Sequence, residues 1–480
     1  MTVYLVGAGP GDPGLLTLRA AEVLGRAEVV VHDRLVEASL LDLAPPDAER
    51  VAVTGPEAGA VLAEHGRTGR PVVRLAAGDP FAGGAGGVEA QALQAAGVAF
   101  EVVPGVAPAA AVPAYAGVPL THPGTASAFT VVTGDDPGTD WAGLARSGAT
   151  LVVPAGAAAP AAVAGRLLAG GLAPETPVAA VTGGTRPEQA TRRTTLAALA
   201  AAPAEAPATV VVGPVAALDL GWYERRPLSG RSVVVTRARD QAPVLSARLR
   251  ELGARVLELP AIAVAAPADG GAGLDAAAAG ITAGRYDWAI FTSVNAVPRL
   301  CGRLPDARAW AGTRLAAIGA ATADALAGYR LVADVVPGEY VAEALLEALL
   351  AAPPPAHPGP VRALLPRAAV ARPVLPAGLR AAGWEVAVVE AYRTVVPAAA
   401  AEVLAAAAAA DAVCFTSSST VTNYVALAGR DRVPPVVACI GPVTAGTAGE
   451  AGLEVTVVAA EHTIPGLVQA LVAALSAKTG

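Results

Sequence analysis

The chain has 480 residues, of which 54% are hydrophobic and 16% charged, and its formal net charge is −7. This composition excludes a disordered chain, and a negative charge without a basic tract argues against nucleic acid as a partner. Three cysteines, no histidine–cysteine cluster, no signal-like N-terminus and no apolar stretch long enough to span a bilayer predict a cytoplasmic, metal-free protein away from membranes.

The first 34 residues read as an apolar strand, a glycine-rich loop, a helical stretch and a second apolar strand that leads to Asp33. This order predicts a βαβ unit with a ligand loop at the carboxyl end of its first strand. In the loop, residues 7–14, the third glycine comes too early for a dinucleotide motif, and Pro10 and Pro13 lack the N–H groups that a pyrophosphate needs. The loop therefore favours a ligand without phosphates, such as a nucleoside, over a dinucleotide or a simple tight turn.

Apolar strands and alanine-rich helices alternate along the first half of the chain. The predicted strands are residues 3–6, 29–31, 72–75, 100–103, 129–133, 150–153, 178–181 and 210–212. Gly/Pro loops at 77–80 and 104–106 follow two of these strands and are expected to share a cleft with the first loop. The alternation stops at residues 219–230, which predicts a linker, 223–230, between domains 1–222 and 231–480, although a charged loop within one domain would look similar.

The second half contains an internal repeat. Residues 287–293 (DWAIFTS) recur as 411–417 (DAVCFTS), and residues 315–319 (LAAIG) recur as 437–441 (VACIG). Each copy reads strand, Thr-Ser loop, helix, strand and glycine loop, which predicts two similar α/β halves around a ligand. Hydroxyls at helix starts suit an anion, but serine and threonine are also common as helix N-caps. The alanine-rich tract 398–415 predicts a helix followed by a strand.

Residues 1–222 resemble the uroporphyrinogen-III C-methyltransferases of the tetrapyrrole methylase family through VYLVGAGPGDPGLLTLRAAEVL, VVVHDRLV, VVRLAAGDPF, FEVVPGVAPA, PAYAGVPLTH and SAFTVVTG. The resemblance implies an α/β domain with lobes of about 1–118 and 119–222, S-adenosylmethionine in the cleft, and a possible homodimer through this half. The implied cofactor-binding residues are Pro10, Ala77, Gly78, Asp79, Ala107, Pro108 and Gly184. Asp33 matches the acidic position near the substrate and is the expected base, unless it pairs with Arg34 or caps the next helix.

The chain departs from this family where an acidic substrate would be bound. Residues other than lysine or arginine stand at Gly55, Ala76, Ala85 and Pro123, and Ala155 replaces a methionine. Because each charge-assisted contact contributes about 1.5–3 kcal/mol, these losses predict weak substrate binding. The sequence therefore leaves open a working methylase or a degenerate domain that binds S-adenosylmethionine or is merely structural.

Residues 229–480 resemble uroporphyrinogen-III synthase through VVVTRARDQA, FTSVNAV, AIGAATADAL, LLPRAAVAR, VVEAYRT and FTSSSTV. The resemblance implies a bilobal α/β clamshell, with one lobe of about 231–262 plus 395–480 and the other of about 263–391, and a cofactor-free cyclisation of hydroxymethylbilane. Tyr392 matches a cleft tyrosine that donates a proton to the leaving hydroxyl, unless it is a half-buried strand residue. The implied substrate-binding residues are Thr292, Ser293, Asn295, Thr322, Ser417, Ser418 and Ser419.

Together the two resemblances imply a bifunctional enzyme of tetrapyrrole (sirohaem, cobalamin or haem) biosynthesis. It would form uroporphyrinogen III and methylate it to precorrin-2, with acidic tetrapyrroles as its partners. A noncatalytic ligand-binding protein is the alternative from another class, because paired α/β clamshells also bind solutes.

Overall fold

The computed structural model describes residues 2–34, 36–132, 137–156, 158–203, 207–239, 241–339, 341–355 and 357–477. The chain divides into a first compact unit, residues 1–233 with 247–256 and 475–480, and a second unit, residues 234–246 with 257–474. Across the described ranges the strands form four five-stranded sheets, and this mixed α/β architecture confirms the predicted fold class. No helix within those ranges is both long and apolar enough to cross a membrane.

The first sheet is parallel and is covered on both faces. Its strands are Val3–Gly7 (β1), Val29–Asp33 (β2), Glu49–Val53 (β3), Val72–Ala76 (β4) and Phe100–Val103 (β5), in the order β3-β2-β4-β1-β5. The helices around it are Leu18–Leu24 (α1), Ala38–Leu41 (α2), Ala58–Gly66 (α3) and Gly86–Ala95 (α4), and Pro108–Tyr115 (α5) follows β5. Val6 packs with α1 on one face while Leu5 packs with α3 on the other, as expected for a strand buried on both sides.

The second sheet is mixed. Its strands are Phe129–Val131 (β6), Thr150–Val153 (β7), Pro177–Thr182 (β8), Ala190–Thr195 (β9) and Thr209–Val212 (β10), in the order β6-β7-β10-β8-β9, with β10 antiparallel to both of its neighbours. The helices Trp141–Arg146 (α6), Pro160–Ala169 (α7) and Leu196–Ala200 (α8) connect these strands: α6 follows β6, α7 follows β7 and α8 follows β9. On one face of the sheet, Val211 belongs to a core that includes Val112 of α5. Helix α5 therefore packs on the second sheet, and its first residue, Pro108, lies beside Gly78 in the loop after β4.

The predicted strands of the first half are all present, with ends that differ by a residue or two. Thr133, the last residue of the predicted strand 129–133, lies outside the described residues. The sequence analysis missed β3 and β9, and both lie at an edge of their sheets. An edge strand need not be apolar on both faces, and β9 contains Arg192 and Arg193, so the apolar pattern that identified the central strands is absent there.

The third and fourth sheets follow in the second half of the chain. Their strands are Ser232–Val235 (β11), Arg255–Glu258 (β12), Ala263–Ala265 (β13), Trp288–Phe291 (β14), Arg314–Ala317 (β15), Arg362–Ala368 (β16), Glu385–Val395 (β17), Ala412–Phe415 (β18), Val436–Cys439 (β19) and Val457–Val458 (β20). The third sheet has the order β12-β11-β18-β19-β20, and the fourth has the order β13-β17-β16-β14-β15. The helices are Ala242–Glu251 (α9), Ala272–Thr282 (α10), Ala296–Cys301 (α11), Ala320–Ala327 (α12), Ala342–Leu350 (α13), Val374–Ala381 (α14), Ala401–Ala408 (α15), Ser418–Ala428 (α16), Pro442–Glu450 (α17) and Ile464–Ala477 (α18).

The internal repeat folds as the sequence predicts. One copy is β14-α11-β15-α12 and the other is β18-α16-β19-α17, and in each copy the two strands are parallel neighbours. The last residue of the first strand, Phe291 or Phe415, is fully buried in both copies. The alanine-rich tract forms α15 and then β18, which confirms the predicted helix and strand.

Asp287, just before β14, joins the amino ends of two strands of the fourth sheet. Its buried carboxylate accepts hydrogen bonds from the Arg362 backbone N–H at 2.7 Å and the Arg362 guanidinium at 3.0 Å, and it lies 2.8 Å from Nε2 of His357. Burial alone would raise the pKa of Asp287, but the hydrogen bonds from Arg362 and His357 outweigh it and lower this pKa to about 2.

We expect Asp287→Asn to lower the free energy of unfolding at neutral pH by on the order of 2 kcal/mol, because the ionised carboxylate is the form that Arg362 stabilises. The folded-state pKa lies below the unfolded value, so the contribution of Asp287 is complete above about pH 4 and is lost as pH falls towards 2. Chemical unfolding at a series of pH values measures both effects. Asp306→Asn is the matched control, because Asp306 is an exposed acid paired with Arg308. Parallel pH profiles for the wild type and Asp287→Asn would contradict this assignment.

Candidate cofactor and substrate sites

Three loops meet at the carboxyl ends of β1, β4 and β5, and they meet through glycines. A Cβ atom on Gly7 would lie 2.5 Å from the Gly105 Cα atom and 2.6 Å from the Gly78 carbonyl oxygen. A Cβ atom on Gly105 would lie 2.3 Å from that same oxygen. Gly78 also has a φ of +74°, which side-chain-bearing residues rarely adopt. The three loops can therefore approach this closely only without side chains at these positions.

The glycine-rich loop has few N–H groups left for a ligand. Pro10 and Pro13 have none, and four other amides are bonded within the protein: Ala8 to the Ala76 carbonyl, Gly9 to the Gly78 carbonyl, Asp12 to the Thr185 hydroxyl and Gly14 to the Asp12 carboxylate. A pyrophosphate needs such donors, so the loop suits a ligand without phosphates better than a dinucleotide. The carbonyls of Gly9, Asp12 and Pro13 already accept backbone hydrogen bonds from Gly78, Leu15 and Leu16.

The predicted cofactor residues lie around this junction. Pro10 and the exposed Ala77 belong to two of the three loops, and Ala107 and Pro108 begin α5 beside Gly78. Gly184, in the loop after β8, packs so closely on Val112 of α5 that a Cβ there would lie 2.6 Å from its methyl groups.

Asp79 fastens two of the loops together. One of its carboxylate oxygens accepts the Gly105 N–H at 2.9 Å, and the other accepts the Phe81 N–H at 2.8 Å. Both oxygens therefore already have a backbone partner, and the side chain holds the junction in place.

Asp33 at the end of β2 is held by a partner that the sequence analysis did not identify. Its Oδ1 lies 2.5 Å from Nη2 of Arg74, and its Oδ2 accepts the Ala77 N–H at 2.9 Å. Arg74 is 4% exposed and also binds Glu89, with Nε 2.9 Å from Oε1. The second Glu89 oxygen is buried and has no hydrogen-bond partner among the described residues. The only sequence signal for this network is a charged residue inside the otherwise apolar β4 strand.

Three of the four positions that lack basic residues are exposed: Gly55 begins a 3-10 turn in which the Glu57 side chain caps the Thr54 N–H, Ala85 precedes α4, and Pro123 follows α5. The fourth, Ala76, ends β4 and is only 7% exposed. Ala155, which stands where the resemblance implies an uncharged methionine, donates its N–H to the Thr209 hydroxyl at 3.2 Å. Loss of charge at the three exposed positions leaves the fold undisturbed.

In the second unit, Tyr392 reaches the Thr-Ser loop that follows β14. Its hydroxyl donates to Oγ of Ser293 at 2.9 Å, and that oxygen also accepts the Asn295 N–H at 3.1 Å. Tyr392 is only 8% exposed, and the Arg299 guanidinium lies 5.6 Å from the centre of its ring. Four of the predicted residues, Thr292, Ser293, Asn295 and Tyr392, thus come together at the carboxyl end of β14.

The matching loop after β18 holds the three predicted serines, and two of them make structural contacts. Oγ of Ser417 accepts the Thr420 N–H at 3.3 Å and so caps α16. This is the N-cap role that the sequence analysis set beside anion binding. Ser418 accepts a hydrogen bond from the Thr447 hydroxyl at 2.7 Å, whereas Ser419 is exposed and lies 3.0 Å from Oγ of Ser417. Thr322 is buried in the first turn of α12.

Two family models match this chain one after the other. The model of the Tetrapyrrole (Corrin/Porphyrin) Methylases matches residues 2–200, and that of Uroporphyrinogen-III synthase HemD matches residues 243–469. The porphyrin biosynthesis protein HemD of Ruminiclostridium josui is 34% identical over 368 residues, which cover 70% of this chain and 71% of that protein. The chain belongs to the family that fuses a tetrapyrrole methylase to a uroporphyrinogen-III synthase.

Other relatives of this fusion protein match a little under half of it. The S-adenosyl-L-methionine-dependent uroporphyrinogen III methyltransferase of Methanosarcina barkeri is 44% identical over 232 residues, which cover 44% of this chain and 91% of that protein. Siroheme synthase 1 of Serratia proteamaculans is 45% identical over 243 residues, or 47% of this chain and 51% of that protein. The chain therefore spans about half the length of this and similar curated relatives.

We expect Arg74→Met to lower the free energy of unfolding by about 3–5 kcal/mol, because it leaves the buried Glu89 carboxylate without its cation. Chemical unfolding measures the loss, and adding Glu89→Leu should recover most of it, since a matched apolar pair can replace a buried ion pair. Arg70→Met is the control, because Arg70 also pairs with two glutamates but does so on the surface, where such pairs contribute about 0–1 kcal/mol. Equal losses for the two single variants would show that burial is not the cause.

Proposed function

We propose that this chain is a bifunctional enzyme that forms uroporphyrinogen III from hydroxymethylbilane and methylates it to precorrin-2. The methylase-like half, about residues 1–222, carries the second reaction, and the synthase-like half, about residues 231–480, carries the first. The order of the two family matches along the chain supports this assignment. Both substrates are acidic tetrapyrroles, and the product of one half is the substrate of the other.

The observation that carries the cofactor assignment is the donor-poor junction of the three loops at Gly7, Gly78 and Gly105. When bound there, S-adenosylmethionine supplies an electrophilic methyl group. The residues of the chain bind and orient it: the small side chains let the backbone approach the adenosine, and the loop carbonyls accept hydrogen bonds from its donors.

Asp33 is the proposed base of the methylase-like half, because its side chain is 30% exposed beside the junction. Each Asp33 oxygen accepts one hydrogen bond, from Arg74 or from the Ala77 N–H, and keeps a second lone pair for a substrate proton. The absence of basic side chains at residues 55, 76, 85 and 123 favours a second candidate function for this half, in which it binds S-adenosylmethionine without methylating.

In the synthase-like half we propose that Tyr392 donates its hydroxyl proton to the hydroxyl that leaves hydroxymethylbilane. Water departs, an azafulvene cation forms, and the chain of four rings closes through a spiro intermediate with inversion of ring D. The contact between Tyr392 and Ser293 supports this role, because it places the hydroxyl at the carboxyl end of β14 beside other hydroxyl groups. Holding the flexible substrate in its productive fold supplies much of the remaining acceleration.

Tyr392→Phe is expected to cut uroporphyrinogen-III synthase turnover about tenfold or more, since one general acid contributes about 10²–10⁴-fold. The rate of cyclisation of hydroxymethylbilane, against its spontaneous closure, measures the effect. Tyr329→Phe removes a hydroxyl from an exposed tyrosine of the same unit and should leave the rate unchanged. An unchanged rate in Tyr392→Phe would remove this tyrosine from the mechanism.

The methylase-like half is tested by calorimetry with S-adenosylmethionine and by an assay that starts from hydroxymethylbilane and follows uroporphyrinogen III and its methylated products. Binding together with methylated product supports the bifunctional enzyme, whereas binding without product supports the second candidate.

The double variant Ala85→Arg, Pro123→Arg is expected to raise methyl transfer at least about tenfold, since each restored charge-assisted contact adds about 1.5–3 kcal/mol. Ala95→Arg, at the far end of α4, adds a charge without that benefit and is the control. Absence of binding to the wild type would contradict both candidates.

A further inference from the structure

Residues 218–226, which we call the strap, lie at the predicted start of the linker but are bound into the first unit. Nε1 of Trp222 donates to the Ala114 carbonyl at 3.0 Å, and Tyr223 is only 4% exposed. The Glu224 carboxylate accepts hydrogen bonds from the Gln189 amide at 2.8 Å and from both the N–H and the hydroxyl of Thr191, at 3.1 and 2.6 Å. The strap is therefore an ordered part of this unit.

Aromatic rings fix the strap against the end of α5. The ring centre of Tyr115 lies 5.2 Å from that of Trp222 and 4.7 Å from that of Tyr223, and the latter two are 5.5 Å apart. The Arg226 guanidinium lies 3.7 Å from the centre of the Tyr223 ring, within the range of a cation–π contact. This packing sets the direction of both tyrosine hydroxyls.

The two hydroxyls bind the two sides of the candidate cofactor cleft. The Tyr115 hydroxyl donates to Oδ2 of Asp12 at 2.8 Å, in the glycine-rich loop, and the Tyr223 hydroxyl donates to the Thr185 carbonyl at 2.9 Å. The Asp12 N–H in turn donates to the Thr185 hydroxyl at 3.2 Å. Burial and the neighbouring Asp12 carboxylate raise the pKa of Tyr115, so its hydroxyl stays a donor at neutral pH.

Thr185 shows why such a restraint is needed. Its φ is +66°, a conformation that costs a non-glycine residue free energy and persists only when its surroundings hold it. Thr185 is 1% exposed, and its N–H donates to Oε1 of Gln189 at 2.8 Å. Gly184, a proposed cofactor residue, immediately precedes it, and Pro10 lies two residues before Asp12. The position of both proposed cofactor residues therefore depends on the Asp12–Thr185 contact.

We propose that Tyr115 and Tyr223 are positioning residues that fix the glycine-rich loop to the turn at residues 183–185 and so complete the cofactor cleft of the methylase-like half. The expected effect on cofactor affinity rests on the proposed binding of S-adenosylmethionine. The contact between the glycine-rich loop and the turn at residues 183–185 does not depend on that proposal. The positioning role also implies that a fragment ending near residue 220 would lack part of the cofactor site, because the strap residues Trp222 and Tyr223 would be missing.

The test uses the full chain with Tyr115→Phe, Tyr223→Phe and their double variant, all of which keep the ring packing. Hydrogen exchange without ligand should speed up about tenfold at the Asp12 and Thr185 amides, and the affinity for S-adenosylmethionine should fall about five- to tenfold, with little change in Tm. Because both tyrosines act on one contact, the double variant should lose less than the product of the single losses. Tyr4→Phe is the control, since Tyr4 is a partly buried tyrosine of β1 in the same unit.

The two readouts separate the two ideas. If the wild type fails to bind S-adenosylmethionine, the proposed cofactor is wrong, and the exchange rates alone decide whether the tyrosines position the loop. If Asp12 and Thr185 exchange as in Tyr4→Phe, the positioning role is overturned even where affinity falls. Tyr223→Leu, which removes the ring as well as the hydroxyl, should lower Tm. If Tyr223→Phe has the Tm of the wild type but a lower affinity for S-adenosylmethionine, the affinity effect belongs to the hydroxyl. If Tyr223→Phe matches the wild type in both Tm and affinity, the proposal is overturned.

Discussion

The close approach of three backbone segments at Gly7, Gly78 and Gly105 is the constraint on which the first half depends. Neighbouring parallel strands end at the same edge of a sheet, so their loops must share one small space. The first two loops also pair through their backbones, because Gly9 and Gly78 each donate an N–H to the other's carbonyl. Pro10 and Pro13 take two further N–H groups out of the first loop. The glycines thus set the shape of the junction, and the prolines reduce its number of donors.

The second half uses the same edge of its parallel strands with different chemistry. Hydroxyl groups, not glycine carbonyls, follow β14 and β18, and Tyr392 of the long strand β17 joins those after β14. Some of these hydroxyls also serve the fold, as Ser417 does in capping α16. A cap and a ligand contact are compatible, because both use the start of a helix, where unpaired N–H groups attract acceptors. The repeat therefore supplies two similar hydroxyl-bearing edges from one local sequence pattern.

The sequence predicts those parts of the fold whose signal is local. Central strands such as β8 are apolar on both faces and stand out, whereas the edge strand β9, with Arg192 and Arg193, does not. Contacts between distant residues were beyond such reasoning: Asp33 pairs with Arg74, 41 positions away, and not with its neighbour Arg34. The candidate cofactor loops could be found because glycine and proline act locally.

The buried network around Arg74 also explains how a methylase fold can be retained when methyl transfer is lost. Arg74 neutralises two carboxylates inside the unit, so its loss would destabilise the fold itself. The exposed positions 85 and 123 hold no such internal partner role, and a basic residue there would contribute to substrate binding alone. Destabilising changes are removed whatever the activity, but changes at exposed binding positions are removed only while the reaction matters. A chain that keeps Arg74 and lacks the exposed bases therefore retains the folded junction of the three loops independently of methyl transfer.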